Sequence, residues 1–77
     1  MSDFIEQLEG ERLMAALEAL LFVAPGSVTV NQLSEVLGVR MIEIEEALKG
    51  LAARYEENGG LRVQWHNGRV QLTTAPE

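Results

Sequence analysis

The sequence predicts a small α+β fold, mainly α, with three helices followed by a C-terminal β-hairpin. Three stretches carry that expectation. Val28 to Tyr55 reads as a short helix, a tight turn at Gly38 and a longer helix. Leu61 to Thr74 alternates apolar and polar residues on either side of Asn67-Gly68. Glu11 to Val23 repeats apolar residues at helical spacing.

Residues 1–10 are expected to form an N-terminal arm. Phe4, Ile5 and Leu8 have helical spacing, Ser2 or Asp3 can cap a short turn, and Gly10 is expected to interrupt it. Such an arm is either a frayed end or an apolar segment that packs on this domain or a neighbour. The domain proper is expected over 11–77. Its first helix runs from Glu11, where negative charge suits the helix dipole, to about Val23. Leu13, Leu17, Leu20 and Ala24 form one stripe; Met14, Leu21 and Phe22 lie off it, toward the side of Glu18. A helix apolar over so wide an arc is buried on more than one side. It is either enclosed by its own domain or has one face against a partner. Met14, Leu21 and Phe22 are therefore the candidates for a contact between two copies, with Phe4 and Ile5 as further members.

Pro25-Gly26-Ser27 breaks the chain, and Val28-Thr29 is extended. Thr29 is a good N-cap, and Gln32 three residues on completes a capping box. Val30, Leu33, Val36 and Leu37 give the second helix its apolar residues. Gly38 ends it in a left-handed conformation, and Val39 plugs the turn. The third helix is expected from about Met41 to Glu57, with Ile44, Ala47, Leu48, Leu51 and Tyr55 as one stripe. Two helices joined in this way form a helix-turn-helix; a plain helical hairpin is the alternative. Glu56 to Gly60 is a polar stop. Asn67-Gly68 suits a type I′ turn, because both positions need positive φ. A two-residue turn fixes the register: Leu61 faces Thr74, Arg62 Thr73, Val63 Leu72, Gln64 Gln71, Trp65 Val70 and His66 Arg69. One side of that ribbon is apolar and must lie on helices. The whole arrangement is a winged helix-turn-helix, the hairpin being its wing.

The chain has 77 residues, enough for one domain, and no cysteine, so disulfides and thiolate metal sites are excluded. The formal net charge is −6, which repels nucleic acid and anionic lipid and favours basic or apolar partners. The start is acidic where a secretory leader is basic. The longest apolar run, Ala19 to Pro25, is too short to span a bilayer. A soluble, cytoplasmic protein is expected. Nothing points to catalysis, a cofactor or a metal. His66 has Arg69 as its expected neighbour, which cannot orient a general base. Glu43 and Glu46 lie one turn apart, with no second histidine or cysteine to build a transition-metal site. There is no glycine-rich phosphate loop leading into a helix.

A helix-turn-helix reader presents the second helix of the motif to DNA. The side opposite its core stripe holds Ile42, Glu43, Glu46, Lys49, Gly50, Ala53 and Glu57. That face is acidic and partly apolar, whereas phosphate binding needs Lys and Arg. Arg62 and Arg69 on the wing offer two positive charges. Direct DNA binding is not expected, and Ile42 joins the interface candidates.

The residues also resemble a known family. E-A-L-L-F-V at Glu18 to Val23, L-S-E-V-L-G-V at Leu33 to Val39, the glycine pair before L-R-V and G-R-V-Q-L-T-T-A-P-E at Gly68 to Glu77 are similar to segregation and condensation protein B, ScpB. The likeness runs from about Leu13 to Glu77 and covers the first of the family's two winged-helix domains, so a longer two-domain protein is expected. Arg40 and Met41 stand where the family usually has a Ser or Asp cap and an acidic first turn. Pro25 falls earlier than the family's proline, and residues 1–11 have no clear counterpart. The resemblance implies a non-enzymatic subunit of the bacterial SMC–kleisin complex in chromosome condensation and segregation. It implies a homodimer that binds the kleisin ScpA and, through it, SMC, placing it at the nucleoid. A winged-helix transcription regulator is the alternative.

Overall fold

Six elements follow in chain order: α1 Ser2–Val23, β1 Val28–Thr29, α2 Val30–Leu37, α3 Met41–Asn58, β2 Leu61–His66 and β3 Arg69–Thr74. The computed structural model describes the backbone of residues 2–74 and the side chains of residues 10–74.

The first helix departs from expectation. It begins at Ser2, not Glu11, and runs unbroken through Gly10. A helix-interior glycine costs about 1 kcal/mol against alanine. Continuing a formed helix past it avoids the larger cost of nucleating a second one. The side chains of Phe4 and Ile5 lie outside the described residues.

Around α2 the local chemistry acts as its sequence dictates. The Thr29 hydroxyl oxygen accepts the Gln32 N–H at 3.0 Å, and the Gln32 side-chain oxygen accepts the Thr29 N–H at 2.9 Å. Gly38 closes the helix at φ +66°, its N–H donating to the Ser34 carbonyl at 2.9 Å. The Ser34 hydroxyl donates to the Val39 carbonyl at 2.5 Å, so one residue braces both sides of the turn. Val36, expected on the apolar face, is 68% exposed. At about 100° per residue it lies roughly 60° beyond Leu33, outside the arc of Val30, Leu33 and Leu37.

Helix α3 carries the expected stripe: Ile44, Ala47, Leu48, Leu51 and Tyr55 are all buried. With Leu17 and Leu21 of α1, Val30 and Leu33 of α2, and Val70 of β3, they form one core. Each Leu, Ile or Val among them contributes about 1.5–3 kcal/mol of apolar burial.

The hairpin has all six expected pairs, from Leu61↔Thr74 to His66↔Arg69. Its turn places Asn67 at φ 51° and Gly68 at φ 76°. Strand β1 adds to the other edge of β3 through Val28↔Val70 and Thr29↔Arg69, giving an antiparallel sheet of order β1-β3-β2. Val70, in the middle strand, is fully buried. Trp65 departs from the expected cover: it is 42% exposed, beside Lys49, Ala52 and Ala53 on the flank of α3 rather than beneath it. This is a winged-helix fold.

Candidate protein-interaction surface

The core stripe of α3 fixes which residues look outward. Ile42, Glu46, Lys49, Ala53 and Glu57 are exposed, as are Glu43, Glu45 and Glu56 on the flanks. Against these carboxylates the helix exposes only Lys49 and Arg54. The helix that a DNA reader would place in the groove is therefore net negative. Arg40, just before it, pairs with Glu43 at 3.2 Å, the one ion pair among the described residues.

Gly50 does not belong to the outward face. It is half-buried and turned to α1, where a Cβ would stand 2.9 Å from the Met14 sulfur. The missing side chain lets the two helices approach. Toward the start of α3 an open groove of about 790 Å³ lies between them. Gly10, Leu13 and Met14 line it from α1; Val39, Ala47 and Gly50 line it from the other side, with Glu43 and Glu46 at the rim.

The interface candidates separate. Leu21 is 4% exposed, inside the domain's own core, so its side chain offers a partner nothing in this fold. Met14 is half-buried and lines the groove. Phe22 is 62% exposed and continues into exposed Val23. Ile42 is 54% exposed beside exposed Met41. Val23, Met41, Val36 and Trp65 were not anticipated. Val23, Met41 and Trp65 each lie at or beside the end of a predicted element, whereas Val36 belongs to the apolar set expected to face the core.

The wing's polar side is internally occupied. Arg69 donates from Nε to the Ser27 hydroxyl at 2.9 Å and from Nη2 to the Ser27 carbonyl at 3.1 Å. The Arg62 side chain has no hydrogen-bond or ion-pair partner among the described residues. His66 Nε2 lies 3.3 Å from the Asn67 side-chain nitrogen. No group of three metal-ligating side chains occurs among the described residues, and none of their helices is long and apolar enough to cross a membrane.

A family described as segregation and condensation complex subunit ScpB matches residues 15–77. The chain belongs to the ScpB family. Segregation and condensation protein B of Moorella thermoacetica is 41% identical over 68 residues, 87% of this chain and 35% of the relative. The protein of the same name from Desulforamulus reducens is 35% identical over 68 residues, 87% of this chain and 38% of the relative. The chain thus spans little more than a third of the curated relatives it matches. A solved structure of a conserved hypothetical protein from Chlorobium tepidum superposes with TM-score 0.79 at 29% identity, over 91% of this chain and 45% of that one.

In this ScpB chain α3 starts at Met41 although Arg40 provides no side-chain cap. The Arg40 carbonyl accepts the Glu43 and Ile44 N–H groups at 3.0 and 3.1 Å. The Arg40–Glu43 pair then holds the first turn from outside, with Glu43 as the acidic group that suits a helix start.

Proposed function

We propose that this chain is the N-terminal winged-helix domain of a non-enzymatic subunit of the bacterial SMC–kleisin complex. It acts in chromosome condensation and segregation by pairing with a second copy and binding the kleisin ScpA, and is cytoplasmic, reaching the nucleoid through SMC. Residues 11–77 are that domain within a longer two-domain protein. Residues 1–10 are an N-terminal arm, continuous from Ser2 with the first helix.

The observation that carries this reading is the charge of α3. Its exposed face offers Glu43, Glu45, Glu46, Glu56 and Glu57 against Lys49 and Arg54. A strong DNA binder neutralises about 6–10 phosphates, and carboxylates repel them over about 8–10 Å at physiological salt. Arg62 and Arg69 on the wing are two charges, well short of that number. Exposed Phe22 and Ile42, with Met14 beside the groove, are the residues assigned to protein contacts.

Three measurements test it. Co-purification with ScpA and sedimentation as a dimer are expected, while labelled duplex DNA stays unbound at physiological salt. DNA affinity tighter than about 10⁻⁶ M, beyond the usual non-specific range, would restore a transcription regulator.

A further inference from the structure

We infer that the groove between α1 and the start of α3 receives one amphipathic helix that carries lysine or arginine along its flank. The inference rests on the domain being a protein-binding module and names the chemistry of a partner segment.

The groove has an apolar floor and an acidic rim. Leu13, Met14, Val39 and Ala47 supply the floor; Glu43 and Glu46 supply the rim. Along α3 its lining runs from Glu43 to Gly50, roughly 10 Å at 1.5 Å per helical residue, about two turns. Two turns are what anchors at i, i+3, i+4 and i+7 of a bound helix span.

Charge selects the occupant. Glu43 is partly neutralised by Arg40 at 3.2 Å, whereas Glu46 has no ion-pair partner among the described residues. A helix set on Leu13 and Ala47 would bring its flank against Glu46. A lysine or arginine there gains an ion pair in a partly desolvated setting; a carboxylate there is repelled. A second copy of this chain is a poor occupant for the same reason. It carries −6 overall, and among the described residues its exposed apolar pairs, Phe22-Val23 and Met41-Ile42, are not flanked by two basic residues.

The test uses two labelled helical peptides with leucine at i, i+3, i+4 and i+7. One is flanked by lysines; in its twin glutamates replace them. Fluorescence anisotropy against the full chain should favour the lysine peptide by about tenfold or more, since like charges across an interface are strongly disfavoured. The double variant Glu43→Lys/Glu46→Lys, altered only at exposed positions, should invert that preference. Methyl signals of Leu13, Met14, Val39 and Ala47 should shift on binding. Equal affinity for both peptides, failure of the lysine peptide to bind, or shifts centred on Phe22 or Trp65 would overturn the inference. If the double variant fails to fold, the methyl map of the unaltered chain still decides. The DNA titration above tests the protein-binding reading separately.

Discussion

The phenolic hydroxyl of Tyr55 donates a hydrogen bond to the carboxylate of Glu18, tying the last turns of α3 to the C-terminal part of α1. Tyr55 is otherwise enclosed by apolar side chains, so this bond satisfies a polar atom that burial would otherwise penalise. Burial first, then the bond to Glu18 and its negative charge, push the Tyr55 ionisation well above its ordinary value near 10.

Replacing Tyr55 by Phe is expected to lower unfolding free energy by about 1.5–3 kcal/mol, the range for a hydrogen bond to a charged group. Urea denaturation measures it. The pH dependence has a definite sign. The folded state keeps the phenol protonated after the unfolded chain ionises near pH 10. Tyr55's contribution is therefore complete below about pH 10 and is lost as pH rises toward the raised folded value. The chain has one tyrosine, so phenolate absorbance reads the shift directly, and Tyr55→Phe should remove that component of alkaline destabilisation.

The turn between α2 and α3 should be sensitive at two neighbouring points for different reasons. Gly38→Ala places a Cβ at φ +66° and should cost about 1–2 kcal/mol. Nothing lies within 4 Å of that Cβ, so the cost is backbone strain rather than collision. Ser34→Ala removes the hydroxyl bond to Val39 and should cost about 1 kcal/mol. Thermal melts of the two variants and their double mutant would separate them. A double-mutant cost equal to the larger single cost would mean that both act through one rearranged turn.

Phe22→Asp should convert a dimer to a monomer while leaving the fold in place. Phe22 is 62% exposed, and surface changes of this kind usually alter stability by no more than about 0.5 kcal/mol. Sedimentation and far-UV circular dichroism give the two readouts. A dimer that survives this change moves the contact to Met41 and Ile42.

Arg69→Ala should act on structure rather than on nucleic acid. It removes both bonds to Ser27, a loss of about 1 kcal/mol, and should speed amide exchange in Val28 and Thr29. DNA affinity should not change.

The features legible in the sequence were those governed by near neighbours. The Thr29–Gln32 box, the left-handed Gly38 and the six hairpin pairs follow from residues at most thirteen apart. The buried stripe of α3 follows from helical periodicity. What the sequence hid depends on how elements meet. Periodicity cannot fix the rotation of a helix with several apolar sides, so Leu21 went to a partner surface when it belongs to the core. Gly50 was likewise set on the open face when it lies against Met14. The Tyr55–Glu18 and Arg69–Ser27 bonds join residues 37 and 42 positions apart, and no local pattern announces them. At the candidate surface the acidity of α3 was legible, but the groove was not, because it is bounded by two helices distant in sequence.

The place of β3 in the sheet sets an order of events during synthesis. Val70 is the last core residue along the described chain, and its strand is the middle one, pairing with both β1 and β2. All three helices leave the ribosome before it does. Until then the helices lack the wall that Val70 provides, and β1 has no strand to pair with. Contacts across so long a separation form slowly, and exposed apolar surface in the interval invites association with other chains. A nascent chain stalled before Val70 should thus remain protease-sensitive and chaperone-bound, and become resistant within a few residues of that strand's emergence.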